Sequence, residues 1–269
     1  MSAPKAHAPK AVPQTTAPRG PTLGQLAVQA LSSVEHGYDL LAPMFDHTSF
    51  RTPDRFLRAT RDALAPLGPF ADGLDLCCGT GAGLGVLRDL CPRSVTGVDL
   101  SAGMLDRAHL AAPWADLVRA DARDLPLAPE SFDLAVTFGA LGHFLPRDLP
   151  ALLGQAFTVL RPGGRLAFPL PGPPRPGSRQ ALGLRAFDTA MRIRNAVWRP
   201  RFVMYYRVLT FGTLRDALAR TGFAVETYAM PEFGRREDGS PRCRLVVATR
   251  PAVPAQSSGE AGPPDGPAL

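Results

Sequence analysis

No apolar run in the 269 residues of the chain reaches the ~18 residues needed to cross a bilayer. The early basic residues Lys5, Lys10 and Arg19 are followed by no apolar core of the kind a secretory signal carries. An intracellular, cytoplasmic protein is the expectation. Cysteine is scarce: Cys77, Cys78, Cys91 and Cys243 form no C-x-x-C pair, and no histidine stands near them at zinc-ligand spacing. Cys77 and Cys78 are neighbours on an expected strand, where successive side chains point to opposite faces. No metal is expected. Internal repeats are absent. So are two phosphate-binding patterns. A G-x-G-x-x-G fingerprint fails because Leu84 stands sixth from Gly79 and Val86 sixth from Gly81. A G-x-x-x-x-G-K-[ST] loop is missing too. A ligand without a pyrophosphate suits the glycine turn better.

What the chain does contain is charge of one sign in one place. Residues 171–211 hold eight arginines against a single acid, Asp188, a net +7 where the whole chain carries +6. The remainder is near neutral, which argues against a uniformly basic nucleic-acid coat. Residues 1–22 and 251–269 are rich in Pro, Ala, Gly, Ser and Thr and have no apolar periodicity. Both are expected to be disordered tails, because they cannot bury enough surface to offset chain entropy. One domain is expected over 23–250, with a lid or insert at 171–211.

Inside that domain, strand and helix patterns alternate. Helices are expected over 24–46 and 54–66, the second capped by Asp54 after Pro53. Strands are expected at Leu74–Cys78, Val95–Leu100, Leu117–Ala120, Phe132–Phe138, Arg165–Pro169, Phe223–Ala229 and Arg244–Thr249. Helices follow from Ala82, from the natural N-cap Ser101, over the apolar positions Leu149 to Leu160, and from Leu214 to a stop at Gly222. Pro162-Gly163-Gly164 is expected to stop the helix before it. This pattern predicts an α/β, Rossmann-like, mostly parallel seven-stranded sheet with helices on both faces. Ligands in such sheets bind beyond the carboxyl ends of the central strands.

The first strand runs into Gly79-Thr80-Gly81, where glycines let a backbone approach a ligand closely. Asp99 ends the second strand, placed to accept from two ribose hydroxyls. It serves equally well as a helix cap. The third strand ends in Asp121-Ala122, an acceptor beside an amide donor, which suits the edge of an adenine; a turn acid is the competing role.

Five stretches together resemble a class I S-adenosylmethionine-dependent methyltransferase of the small-molecule kind: "LDLCCGTGAG" (74–83), "GVDLSAGML" (97–105), "RADARDLPL" (119–127), "SFDLAVTFGALGHF" (131–144) and "LRPGGRLAF" (160–168). The resemblance runs from about 38 to 250. The chain departs from the family's acid-x-G-x-G-x-G loop at Cys77, where the first glycine stands. S-adenosyl-L-methionine is the implied cofactor. The resemblance implies that Asp75 orients its methionine ammonium and that the backbone at Cys77, Gly79, Thr80 and Gly81 lies against it. Asp99 takes the ribose, Leu100 and Met104 flank the adenine, Asp121 and Ala122 read its edge, and Phe138 lies by the carbon–sulfur region. "YDLLAPMFD" (38–46) resembles the segment that folds over the cofactor and brings Tyr38 and Phe45 to it.

Methyl transfer from a sulfonium needs a nucleophile held in line and water excluded, so the lack of a catalytic triad is expected. His143, just past the fourth strand, is the candidate general base; capping or packing the next helix is its other role. Trp198, Phe202, Tyr205 and Tyr206 interleave with the insert's arginines and are the candidate acceptor-binding residues for a small organic molecule. Docking to an acidic macromolecule or membrane surface is the alternative role for this segment. Two other functions compete. One is methylation of protein or RNA, against which stand the lack of an RNA-binding module and of an N-P-P-Y-type motif. The other is non-catalytic cofactor binding.

Overall fold

The computed structural model describes residues 38–39, 42–48, 51–174, 177–198 and 209–252. Seven strands lie within them: β1 (Asp72–Leu76), β2 (Ser94–Asp99), β3 (Asp116–Arg119), β4 (Phe132–Val136), β5 (Leu160–Pro171), β6 (Ala224–Ala229) and β7 (Cys243–Thr249). They pair in the order β3-β2-β1-β4-β5-β7-β6. All neighbours from β3 to β5 are parallel, and β7 runs antiparallel to both β5 and β6. The strand order reverses direction at β1 and β4, which opens a crevice at their carboxyl ends.

The central strands are apolar on both faces, and the alternation of side chains sorts them into two cores. Ala135, Leu166, Phe168, Val246 and Ala248 face one side, where α4 (Leu149–Val159) and α6 (Phe211–Thr221) pack. Leu134, Val136, Ala167, Leu245 and Val247 face the other, against α1 (Asp54–Leu64), α2 (Ala82–Leu90) and α3 (Ala102–Ala111). A longer helix, α5 (Arg179–Trp198), follows β5.

Caps explain several helix ends. Ser101 accepts from the Met104 N–H at 3.1 Å and starts α3. Thr210 does the same for α6 through the Thr213 N–H, and Gly222 closes α6 at φ 104°, a left-handed conformation suited to glycine.

Four expectations need correction. Pro53, not Asp54, is the N-cap of α1, and no side chain caps that end; Asp54 instead accepts from Arg51 at 2.7 Å. α4 ends at Val159 because Leu160 is already extended and pairs with Phe132, so Pro162-Gly163-Gly164 lies inside β5 and stops nothing. β1 ends at Leu76, two residues early, because Cys77 turns to φ 59°. The cysteines still diverge: Cys77 packs against one core and Cys78 lies in the other. Where a helix is expected over 24–46, residues 24–37 fall outside the described residues, and Ala42–His47 forms a 3-10 turn. Nearly all of both tails, together with Phe202, Tyr205 and Tyr206, also lie outside them.

At the amino ends of the strands, away from the crevice, buried Asp72 ties the sheet together. Its carboxylate accepts from Arg93, from Ser94 Oγ at 2.7 Å and from Arg161 at 2.8 Å. Arg93 and then Ser94 and Arg161 hold the Asp72 carboxyl far below the usual carboxylate range, against the opposing effect of burial.

Candidate cofactor site

The carboxyl ends of β1, β2, β3 and β4 open into one cavity, which Tyr38, Phe45, Arg51 and Thr52 also border. Asp75, Cys77, Gly79 and Thr80 line it from the β1 turn. Asp99, Leu100 and Met104 line it from β2 and α3, Asp121 and Ala122 from β3, and Phe138 and His143 from β4. Phe45 and Tyr38 complete it. All of the residues expected at the cofactor but one thus meet around a single space.

Gly81 is the exception. It does not line the cavity. At φ 92° it is the N-cap of α2, and a Cβ there would lie 3.2 Å from Leu84 and 3.3 Å from the Ala108 backbone. The chain needs glycine here for the left-handed turn and the close approach of α2 to α3. Gly79, at φ 54°, does face open space: an added Cβ would meet nothing within 4 Å.

Asp75 is the least satisfied group of the site. Its side chain is 1% exposed, and neither carboxylate oxygen has a hydrogen-bond partner. Burial, and then the charge of Asp99, push its carboxyl well above the usual range. A buried carboxylate without a donor is costly, so a cationic donor entering the cavity finds its strongest partner there. Asp99 contrasts with it. Oδ2 accepts from the Gly79 N–H and Oδ1 from the Ser101 N–H, both at 2.9 Å. Burial raises its carboxyl, while these amides work in the opposite direction. Each oxygen keeps a further acceptor direction for a ligand hydroxyl. The Asp99 bond to Gly79 also fixes the turn after β1 to the end of β2.

Asp121 is arranged differently from the expectation of a simple adenine acceptor. Arg123 grips both of its oxygens, at 2.6 Å and 3.0 Å, and holds the carboxyl below its usual range. Part of its acceptor capacity is therefore already taken. The sequence carried a signal for this in the alternating "DAR", which puts the arginine two residues on.

The N-terminal border of the cavity is held by two further carboxylates that sequence reasoning missed. Asp39 Oδ1 accepts from Ser101 Oγ at 2.6 Å and from the Gly103 N–H at 2.9 Å, at the amino end of α3. A Cβ on Gly103 would stand 3.0 Å from the Asp39 backbone. Thr80 Oγ1 donates to Asp46 Oδ1 at 2.6 Å. Tyr38 thereby reaches across the cavity, with its hydroxyl 3.3 Å from His143 Nε2. Gly83, Arg51 and Phe144 also line the cavity without having been singled out.

The thiols offer no nucleophile. Burial and then the nearby carboxylates, Asp99 first for Cys77 and Asp75 first for Cys78, push both well above the usual thiol range. Among the described residues, no group of three or more His, Cys, Asp or Glu side chains is arranged to hold a metal ion, and no helix is long and apolar enough to cross a membrane.

A seven-stranded sheet of this order, with an acid near the end of β1, a glycine turn after it and an acid at the end of β2, defines the class I S-adenosylmethionine-dependent methyltransferase fold. Comparison with known proteins agrees. Residues 74–164 match the family model described as a methyltransferase domain. A solved S-adenosylmethionine-dependent methyltransferase from Mesorhizobium loti is 30% identical, with a TM-score of 0.51, over 72% of this chain and 96% of that one. The chain belongs to this family, whose cofactor is S-adenosylmethionine. Among curated relatives, trans-aconitate 2-methyltransferase of Azoarcus sp. is 38% identical over 130 residues, 47% of this chain and 50% of the relative. Phthiotriol/phenolphthiotriol dimycocerosates methyltransferase of Mycobacterium leprae is 42% identical over 98 residues, 35% of this chain and 36% of the relative. The chain thus spans about a third to a half of the length of these two relatives.

Proposed function

We propose that this protein transfers a methyl group from S-adenosylmethionine to a small organic acceptor by in-line displacement. One observation carries the reading: the unpartnered, buried carboxylate of Asp75 faces the same cavity as the amide-held carboxylate of Asp99. This is the donor-acceptor pattern that an amino-acid cation joined to a ribose requires.

In this reading Asp75 takes the methionine ammonium, and the backbone at Cys77 and Gly79 lies along the methionine. Asp99 accepts from the ribose hydroxyls. Leu100 and Met104 flank the adenine, whose edge meets Asp121 and Ala122. Phe138 and Phe45 exclude water around the sulfur. When bound, the cofactor supplies a methyl group on positive sulfur, so departure of the leaving group needs little assistance. The protein's work is then to align the acceptor and keep water out.

Where the acceptor is a hydroxyl, its proton passes to His143 Nε2 through the Tyr38 hydroxyl, which accepts from the acceptor as it donates to the ring. Trp198, Phe202, Tyr205 and Tyr206 are assigned to the acceptor side. The relatives, a trans-aconitate and a phthiotriol dimycocerosate methyltransferase, support a small-molecule or lipid acceptor over a macromolecule.

Incubation with S-adenosylmethionine and a panel of carboxylate, phenol and lipid-alcohol acceptors, with S-adenosylhomocysteine as the readout, tests the proposal. Acceptor-dependent product that is lost on Asp99→Ala is expected. Tight cofactor binding without turnover on any acceptor would favour a non-catalytic binding protein.

A further inference from the structure

Helix α5 carries an exposed apolar stripe among the described residues. Leu182, Ile193 and Val197 are 58%, 61% and 66% exposed. Ile193 and Val197 follow Leu182 by close to three and four full turns, so at about 3.6 residues per turn all three lie on one face. Ala186 and Ala190, also exposed, fill the gaps between them. Among the described residues the other exposed large apolar side chains are Leu110, at 71%, and Trp114, at 38%, and the Arg88 guanidinium lies over the Trp114 ring at 4.7 Å.

The opposite face of α5 is already in use. Ala181 is buried, and Leu184 and Asp188 are half-buried. The stripe is therefore a second face, separate from the one the helix turns inward, and a contiguous apolar patch of this kind ordinarily marks an interaction surface.

The charges beside the stripe decide what covers it. Arg179 and Arg185 stand three residues before and after Leu182, about 60° to either side of that residue, so Arg179 lies at the stripe's amino end and Arg185 along one edge. Both are exposed. Arg192 flanks Ile193 and is held by Asp188 at 2.8 Å, and Asp188 is the only acid in the helix. A two-fold pairing of identical copies through this face would set arginines against arginines. An apolar strip edged by arginines is instead the pattern of a helix lying in the plane of an anionic lipid surface. β5, which leads into α5, runs parallel to β1 and β4, so its exit lies on the cavity's side of the sheet.

We propose that the outer face of α5 docks this protein on an anionic lipid surface, with Leu182, Ile193 and Val197 entering the headgroup layer and Arg179 and Arg185 pairing with lipid phosphates. This does not depend on the methyl-transfer reading, since it concerns a surface outside the cofactor cavity.

The test is co-sedimentation of the full chain with phosphatidylcholine vesicles, with and without phosphatidylglycerol, at low and high salt. Binding to the anionic vesicles alone, weakening with salt, is expected. The triple variant Leu182→Gln/Ile193→Gln/Val197→Gln should lose it. Arg179→Gln/Arg185→Gln should weaken it by roughly tenfold or more. Both changes are on the surface, and an unchanged thermal midpoint and S-adenosylhomocysteine affinity report that the fold and cavity are intact. Should the triple variant unfold, Ile193→Gln and the arginine pair carry the test. No binding to anionic vesicles at low salt, or binding that neither variant alters, overturns the proposal. So does a solution dimer that the triple variant dissociates, which would assign the face to a second copy.

Discussion

Gly83 leaves no room for a side chain beside Asp75: an added Cβ would collide with the Asp75 carboxylate and lie 2.7 Å from the Phe138 ring. The first turn of α2 therefore fixes where the unpartnered carboxylate points. Gly83→Ala should displace Asp75 or Phe138 and lower S-adenosylhomocysteine affinity by about tenfold or more, since the lost interaction is a charge-assisted one. Calorimetric titration measures this, and parental affinity would show that Asp75 is not held by that contact.

The buried carboxyl of Asp75 makes cofactor binding pH-dependent. Its folded-state pKa is raised by burial and by Asp99, so the free protein keeps a proton there that the unfolded chain would release. The sign follows. This group's contribution to stability is present below its unfolded pKa and is lost as pH rises through the folded one. Binding of an ammonium needs the ionised form, so affinity should rise over the same interval with release of a proton. Asp75→Asn should flatten that dependence and weaken binding by roughly 1.5–3 kcal/mol. Titrations in buffers of differing ionisation enthalpy count the proton. A pH-independent affinity in the parent would contradict the role.

Cys77 occupies a left-handed turn at φ 59°, which explains why the family loop has glycine at this position. A residue with a Cβ there costs about 1–3 kcal/mol. Cys77→Gly should therefore leave the thermal midpoint unchanged or raise it, despite the lost packing of the thiol. Cys77→Val, β-branched and ill-suited to this region, should lower stability by about 2 kcal/mol or more. Equal stability of the two variants would refute the strain.

The two anchors of the covering segment act on the site from outside the glycine turn. Asp39→Ala removes the acceptor shared by Ser101 Oγ and the Gly103 N–H. Loss of one such charge-assisted acceptor should weaken cofactor binding by about 1–2 kcal/mol, with little effect on the unfolding midpoint. Faster proteolysis near residues 38–48 without cofactor would accompany it. Unchanged affinity and cleavage would show the anchor to be inert.

How much of this was legible in the sequence depended on distance along the chain. The order of the strands along the chain, the cap at Ser101 and the stop at Gly222 follow from local residue type and spacing, whereas the end of β1 does not, because Cys77 turns to φ 59°. The meeting of Asp75, Gly79 and Asp99 was legible too, because a parallel sheet brings the ends of β1 and β2 together. The anchors Asp39 and Asp46 were not legible. An acid on an N-terminal segment has no local sign that its partner is a helix start 62 residues away in one case or Thr80 in the other. Asp54 was misjudged because an acid after proline satisfies the cap pattern, while its carboxylate is drawn to Arg51. Gly81 carries a second constraint that the loop pattern does not reveal, because its Cα is packed against Ala108, further along the chain and in another helix. Arg123 was overlooked because a motif read for its acid gives no weight to the arginine that holds it.

The ion cluster at the far end of the sheet tests the fold separately from the site. The Asp72 carboxyl is held far below its ordinary range by Arg93, Ser94 and Arg161, so its contribution is present above the unfolded pKa and lost as pH falls through the folded one. Asp72→Asn should cost about 2 kcal/mol near neutral pH, discounted for the exposure of Arg93, and the deficit should shrink toward acid. Denaturant unfolding across pH measures it, and a constant deficit would contradict the assignment.

The central claim is that the cavity at the ends of β1, β2 and β4 holds the cofactor through Asp75 and Asp99. A crystal structure with S-adenosylhomocysteine bound tests it most directly. The account predicts the ligand ammonium within hydrogen-bond distance of Asp75, both ribose hydroxyls on Asp99, and the sulfur beside Phe138 facing Tyr38 and His143. A ligand bound elsewhere, or one in this cavity with Asp75 still unpartnered, would contradict it.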